Sequence, residues 1–279
     1  METNGLVRRD KLTYVQAPTL DRFPFLTHAF CTRQGGVSVG PYAGLNLAPL
    51  DGEDSKNVRN NWYILSRAFG IEPDRFFLLR QIHGDGILVL DGELPPDSFP
   101  EPPAYDALIT DQPNLALCIK TADCVPILLV SPKKRVVAAI HAGWKGTARN
   151  LAGRVVSTLC ERFGADPGDL LAVIGPAIGP CCYEVDDPVV SSLAVRRDDG
   201  AVCRPSVFRG RWMIDLPRIN EGQLGQAGLN PSCISRMDFC TACLPDLFFS
   251  HRRDRGRTGR QVSFIMLLEG AAHPPQKRA

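Results

Sequence analysis

The sequence predicts a single α/β (α+β) domain with mixed β-sheets flanked by helices, and three observations carry that expectation. Apolar runs of strand length alternate with stretches of helical period, so strands and helices are interleaved. Two of the runs, at 125–130 and 136–140, are rich in β-branched residues and stand either side of Ser131-Pro-Lys-Lys-Arg135, the pattern of two buried strands joined by a tight polar turn. Such hairpins do not belong to a purely parallel doubly wound sheet, and the chain contains no internal repeat. Its 279 residues are long for one compact domain and short for two independent ones, and 44% hydrophobic residues supply a large core.

Residues 1–11 read as a flexible N-terminus, followed by a strand at Leu12–Val15 and a second short apolar segment from Phe23 to Cys31. That segment runs into TRQGGVSVGPYAGLNL (32–47), where Gly35-Gly36 signals a turn and backbone amides with Arg33 can meet an anion. An ordinary surface loop is the plainer account of the same residues. Asp54 caps a helix with apolar positions at Val58, Trp62, Leu65 and Phe69, closed by Gly70. A strand at 76–79 leads into Gln81-Ile-His-Gly84 and then a strand at 87–90, so His83 lies in a tight turn between apolar segments. Residues 91–103, rich in proline and acids, form an exposed excursion, and 106–110 and 115–119 precede the hairpin. Gly146-Thr147 opens an amphipathic helix over 148–163, closed by Gly164. A short strand at 171–174, a segment at 186–202 that starts helical and ends as loop, a strand at 212–215 and a helix over 216–227 follow. The last strand is 262–268, and 270–279 is a flexible tail, leaving 12–269 as one catalytic domain.

The formal net charge of +2 gives no bulk bias toward nucleic acid or membrane, and no apolar run of about 18 residues marks a membrane span. The N-terminus lacks an apolar signal core, so a cytoplasmic protein is expected. Its ten cysteines are then free thiols or metal ligands, with Cys31, Cys118, Cys160, Cys203 and Cys233 reading as packing residues.

A hairpin brings its outer ends together, so Cys124 before the first strand meets His141 after the second. A thiolate beside an imidazole is a metal site or a nucleophile–base pair, unless both residues are merely buried. Of the five histidines (His28, His83, His141, His251 and His273), His83 shares the Gly-flanked, strand-end setting of His141. Two imidazoles and one thiolate suit Zn²⁺ and leave a fourth position for water or substrate, although sequence spacing alone does not establish the set. Cys240-Thr-Ala-Cys243 and the vicinal Cys181-Cys182 together offer four thiolates. Without a second CxxC, and with Met237 and Phe239 nearby, they read as packing thiols. The arginine-rich stretch 252–260 is either an anion site or a solvated loop, and its apolar flanks favour one or two arginines anchored beside the core. GxSxG, Walker and HExxH motifs are absent, as is the HxE…PCxxC signature of zinc deaminases.

Seven stretches, TRQGGVS (32–38), GPYAGLNL (40–47), QIHG (81–84), KTADCVPILL (120–129), HAGWKGT (141–147), VIGPAIGPCCYEV (173–185) and FFSHRRDRGRTGRQ (248–261), resemble the polyphenol-oxidase/laccase-domain family of purine nucleoside phosphorylases. The likeness runs in order from about 12 to 268. It implies a mixed α/β sandwich like that of the cytotoxic-necrotizing-factor-like putative cysteine hydrolases. It also implies a zinc enzyme that splits adenosine, inosine, guanosine or methylthioadenosine with phosphate into free base and sugar 1-phosphate, and deaminates adenosine as a side activity. The family's ligands fall on His83, Cys124 and His141, all intact. Arg255 is inserted in the RRD-G motif and Lys145 stands where Arg is common; both keep or add positive charge. Arg33, Asn46 and Lys145 are the expected substrate contacts. Asp123 either orients a ligand, moves a proton or simply caps its turn. The older copper label fits less well, because five histidines hardly furnish a multi-copper cluster. Rival readings are a metal-free Cys124/His141 thiol hydrolase, a copper polyphenol oxidase and a non-catalytic scaffold. The expected partners are purine nucleosides and phosphate, with no nucleic acid and no membrane, in a monomer or small homo-oligomer.

Overall fold

The computed structural model describes residues 5–92 and 101–270. Its strands are β1 (Leu6–Arg9), β2 (Leu12–Val15), β3 (Leu26–Cys31), β4 (Phe76–Leu78), β5 (Ile87–Leu90), β6 (Ala107–Thr110), β7 (Ala116–Thr121), β8 (Val125–Ser131), β9 (Val136–Ala142), β10 (Leu171–Ile174), β11 (Glu184–Asp186), β12 (Cys203–Pro205), β13 (Arg211–Ile214), β14 (Ile234–Arg236) and β15 (Gln261–Leu267). The α-helices are α1 (Pro18–Asp21), α2 (Ser55–Phe69), α3 (Trp144–Ala148), α4 (Leu151–Phe163), α5 (Asp187–Ser192) and α6 (Leu216–Gln226).

Two six-stranded sheets, ordered β1-β2-β3-β15-β7-β4 and β14-β10-β8-β9-β6-β5, stack face to face, and a three-stranded sheet β11-β13-β12 stands beside them. Both large sheets mix parallel and antiparallel pairs: β4 with β7 and β5 with β6 run parallel, while β8 with β9 and β15 with β3 run antiparallel. The predicted fold class is therefore the observed one.

Alternation along the strands explains the layering. In β15, Ile265 and Leu267 face the inter-sheet core, while Val262, Phe264 and Met266 face the outer layer with Leu65 of α2. In β8, Leu128 and Val130 face the same inter-sheet core, whereas Ile127 and Leu129 pack beneath Val155 and Leu159 of α4 and Leu224 of α6. Strands buried on both faces read as continuous apolar runs, which is why 125–130, 136–140 and 262–268 stand out in the sequence. Each fully buried Val, Leu, Ile or Phe of these strands contributes about 1.5–3 kcal/mol by burial.

Helix α2 begins and ends on the predicted residues. The Asp54 carboxylate accepts from the Lys56 amide, and Gly70 adopts φ 65 at the C-cap. Three expectations change. Residues 6–9, placed in a flexible lead, form β1 by pairing antiparallel with β2, so backbone hydrogen bonds supply the order that the side chains do not advertise. The helix over 148–163 is two helices, because Asn150 takes φ 55 and breaks the run; α3 already starts at Trp144, so Gly146 and Thr147 lie inside it. The strand at 212–215 is the centre of a small sheet whose short polar neighbours β11 and β12 carry no period-2 signal. Most of the excursion over 91–103, at 93–100, and the tail over 271–279 lie outside the described residues.

This topology places a rim. The chain passes from the first sheet to the second between β4 and β5 and again between β7 and β8, while β9 ends at the same edge. His83, Cys124 and His141 occupy those three points.

Candidate metal centre

Hairpin register fixes the first contact. Val125 pairs with Ala142 and Pro126 with His141, so Cys124 comes opposite the turn that follows β9. The nearest ligand atoms of His83, Cys124 and His141 all lie within 4.8 Å of one another. Tetrahedral zinc with bonds of about 2.0–2.3 Å needs ligand separations of about 3.3–3.8 Å, so small side-chain rotations close the set on one ion. Gly143 makes the room: a Cβ there would stand 3.2 Å from both Cys124 Sγ and His83 Cδ2.

Asp106 organises the site, and sequence reasoning missed it. Fully buried just before β6, its carboxylate accepts the amide N–H groups of Ile82, His83 and Gly84 at 3.3, 3.0 and 2.6 Å. It also meets His141 Nδ1 at 2.8 Å, while the Asp106 carbonyl accepts the His141 amide. One carboxylate thus holds the turn in which His83 sits at φ 55 and orients His141 so that Nε2 faces Cys124. Burial would raise its pKa, but the His141 hydrogen bond and the loop amides outweigh that and hold it below the usual carboxylate range. The only sequence signal is an acidic residue at the mouth of an all-apolar strand.

Electrostatics within the set are those of an ion pair. Burial pushes the Cys124 thiol up, but the charge on His141 and the hydrogen bonds from both imidazoles overcome it, leaving the pKa at about 6. Burial likewise works against a charged His141, yet the Cys124 thiolate and Asp106 raise it to about 9. Without a metal, the pair is thiolate and imidazolium at neutral pH.

The three residues sit on the wall of a cavity of about 700 Å³, also lined by Trp144, Tyr183, Arg80, Lys120, Arg252 and Arg260. That size suits a small-molecule ligand. Gln81 fixes the His83 loop to β7 by donating to Lys120 O at 2.8 Å and accepting from Lys120 N at 2.9 Å. Lys120 is largely buried, and desolvation, with the nearby charge of Arg260, lowers its pKa. Neither Lys120 nor Arg260 has a carboxylate within ion-pair distance among the described residues; Arg260 Nη1 donates only to the Thr258 and Gly259 carbonyls.

The other expected site residues separate. Asp123 lies at the cavity in a left-handed turn (φ 94), with one carboxylate oxygen accepting from the Thr241 hydroxyl at 2.7 Å and the other from the Arg252 amide at 2.6 Å. Both oxygens are engaged, which suits a pin for the Cys124 turn rather than a proton carrier. Arg33, Asn46 and Lys145, the expected substrate contacts, are not among the residues lining the cavity. The Arg33 guanidinium donates to Ala43 O and Pro245 O and stacks 4.5 Å from the Phe249 ring centroid, satisfying its own loop. Asn46 is fully buried and knits Ala48, Glu53 and the Arg260 amide together. Lys145 is exposed, its Nζ 5.6 Å from the Trp144 ring centroid. Lys120 was not singled out in the sequence, although it opens the KTADC stretch, whereas Arg260 ends the arginine-rich stretch offered there as an anion site.

The arginine-rich stretch divides as its flanks suggest. Arg253 is anchored on the Thr241 and Phe248 carbonyls and Asp254, while Arg252 and Arg260 turn to the cavity. His28 is remote, accepting the Ala17 amide inside the core at 2.9 Å, and His273 lies outside the described residues. His251 also lines the cavity, and His83, Cys124 and His141 form a group of two imidazoles and a thiolate that could hold one metal ion. No described helix is long and apolar enough to cross a membrane.

Similar proteins share much of this sequence and its fold. Purine nucleoside phosphorylase YlmD of Geobacillus stearothermophilus is 40% identical over 239 residues, covering 84% of this chain and 87% of that protein. A purine nucleoside phosphorylase of Deinococcus radiodurans is 37% identical, covering 96% and 98%. The crystal structure of YlmD from Geobacillus stearothermophilus superposes with a TM-score of 0.85 at 36% identity, covering 95% of this chain and 99% of that one. That of the Bacillus licheniformis hypothetical protein YfiH gives 0.84 at 34% identity, with the same coverage. Residues 27–268 match the family described as multi-copper polyphenol oxidoreductase laccase, and with these relatives the chain belongs to that family.

Proposed function

We propose that the chain is a zinc-dependent purine nucleoside phosphorylase, converting adenosine, inosine, guanosine or methylthioadenosine with phosphate to the free base and the corresponding pentose 1-phosphate. Adenosine deamination is its side reaction. The observation that carries this reading is the convergence of His83, Cys124 and His141 in a cavity whose wall bears Lys120 and Arg260 without carboxylate partners. The purine nucleoside phosphorylases among its relatives support the substrate class.

In phosphorolysis a phosphate oxygen bonds to the anomeric carbon as the bond to the purine nitrogen breaks, and the departing base takes up a proton. The anion must be held beneath a sugar that is developing positive charge. Lys120 and Arg260 supply the positive field for phosphate, and Trp144 and Tyr183 supply flat walls for a purine. When bound, Zn²⁺ supplies a Lewis-acidic position beside these groups and the means to activate water for deamination. His83, Cys124 and His141 hold it, with Asp106 fixing the two imidazoles. Copper ranks above zinc on raw affinity for such donors, so metal supply decides the occupant.

Incubation with adenosine and phosphate, followed by chromatography, is expected to yield adenine and ribose 1-phosphate, with inosine as a lesser product. Turnover of neither kind sinks the proposal.

A second reading, a metal-free thiol hydrolase, draws on the thiolate–imidazolium pair. In chelator-treated protein, alkylation at Cys124 is expected to rise with a midpoint near pH 6. If that protein keeps full activity until alkylated, the thiol reading replaces the zinc one; if activity is already gone and returns with Zn²⁺, the zinc reading stands.

A further inference from the structure

The packing-thiol reading of Cys181, Cys182, Cys240 and Cys243 does not survive the fold. These four sulfurs come from two loops about 60 residues apart, yet all lie within 4.8 Å of one another. Cys243 Sγ is 3.4 Å from Cys181 Sγ and 3.3 Å from Cys182 Sγ. A tetrathiolate zinc site with bonds of about 2.3 Å has sulfurs about 3.8 Å apart, so the observed group is already near that geometry. Packing thiols would be enclosed by apolar side chains. Here Cys181 and Cys243 are exposed and the other two only half-buried, so little burial is gained by gathering them.

The surrounding backbone is arranged for the sulfurs as well. The Gly179 amide donates to Cys240 Sγ at 3.2 Å, a bond that a thiolate accepts far better than a thiol. Gly179 lies close against the sulfurs, since a Cβ there would stand a tight 3.3 Å from Cys181 Sγ and from Cys240 Cβ. The two loops are otherwise tied by few bonds: an isolated bridge of Ala177 with Cys240, with Thr241 N donating to Ala177 O.

We propose that Cys181, Cys182, Cys240 and Cys243 bind a second zinc ion through four thiolates, and that this ion is structural. All four positions are filled by protein, so none is open to substrate. The site joins the loop that continues to Tyr183 and Glu184, on the cavity wall, to the loop that carries Thr241. Thr241 lies between two of the sulfur ligands and donates to Asp123, the neighbour of Cys124. The second ion thus braces the wall and the turn of the first centre without touching the substrate.

The test is metal counting on the full chain purified without chelator. Two zinc equivalents are expected in the parent protein. One is expected in Cys243→Ser and in Cys240→Ser, and one, at the other site, in Cys124→Ala. Cobalt replacement in Cys124→Ala is expected to give the intense sulfur-to-metal charge-transfer bands of a tetrathiolate, absent from Cys124→Ala/Cys243→Ser. A single equivalent in the parent protein that survives Cys243→Ser but not Cys124→Ala overturns the proposal and leaves the first centre intact. A single equivalent that is lost in Cys243→Ser but kept in Cys124→Ala would support the second site and tell against zinc at the first. Should the serine variants fail to fold, alkylation of the parent protein decides: the four cysteines are expected to resist iodoacetamide until a chelator is added. Ready alkylation without chelator, or a mass showing disulfides among them, overturns the second site.

Discussion

Asp106→Asn is expected to weaken metal binding at His83, Cys124 and His141 by about 10–100-fold, the usual cost of removing the group that orients a metal-bound imidazole. The substitution preserves shape, so the effect isolates charge and hydrogen-bond polarity. If the carboxamide oxygen stays on His141 Nδ1 and the His83 amide, its NH₂ confronts the Gly84 and Ile82 amides, which now bond the second carboxylate oxygen. Donor then faces donor in a fully buried site, at about 1–3 kcal/mol for each unsatisfied group. The 82–84 turn relaxes, His83 leaves its left-handed geometry, and His141 keeps a neutral acceptor in place of the carboxylate charge. Competition with a chromophoric chelator measures the affinity, and nucleoside turnover at limiting and saturating zinc measures the consequence. Excess zinc is expected to restore much of the Asp106→Asn activity and none of that of Cys124→Ala. Unchanged zinc affinity in Asp106→Asn would show that the histidines need no such support.

Acid is expected to destabilise the protein through His28 by about 3 kcal/mol between pH 6.5 and pH 4. This histidine lies on β3 between Leu26 and Phe30, on the inter-sheet face, and its Nε2 accepts the Ala17 amide. Burial lowers its pKa from 6.5 to about 4, with the charge of Asp21 pulling weakly the other way. The folded pKa is depressed, so the unfolded chain takes up a proton first as the pH falls. The stabilisation is whole above pH 6.5, declines below it, and falls no further once the folded imidazole also protonates near pH 4. The magnitude follows from about 1.4 kcal/mol per pKa unit over that shift. Urea unfolding of the parent chain and of His28→Asn, from pH 7 to pH 4, separates this contribution from the carboxylates that titrate in the same range. The stability gap between the two proteins is expected to shrink by about 3 kcal/mol across the window. A gap independent of pH would mean that His28 accepts protons alike in both states.

Sequence legibility followed the locality of the signal. Helix α2 was readable because Asp54 and Gly70 act on their own neighbours. The contact of Cys124 with His141 was readable because a hairpin converts short sequence spacing into register. Asp106 was not, since it works through three backbone amides, and amides leave no mark on residue identity. The Gly-rich loop after Cys31 was legible as a turn but not in its packing. A Cβ on Gly36 would meet Gly44 O at 2.3 Å, and one on Gly44 would meet Arg33 O at 2.0 Å, so these glycines permit the loop to pack closely on itself. Arg33 serves that same loop. The cysteine pairs were individually visible, but their meeting depends on how the chain returns from β14 past β10, which no spacing encodes.

The placement of the three donors on sheet crossings governs when the centre can come into being. His83 follows a strand of one sheet, Cys124 precedes a strand of the other, and His141 waits on a hairpin that is complete only near mid-chain. Neither sheet alone owns the set. The three donors therefore come together only when the two sheets have docked, and the first sheet is complete only once β15 has joined β3 and β7. An ion held by these three residues would be captured late in folding, sealing a docked sandwich rather than seeding one.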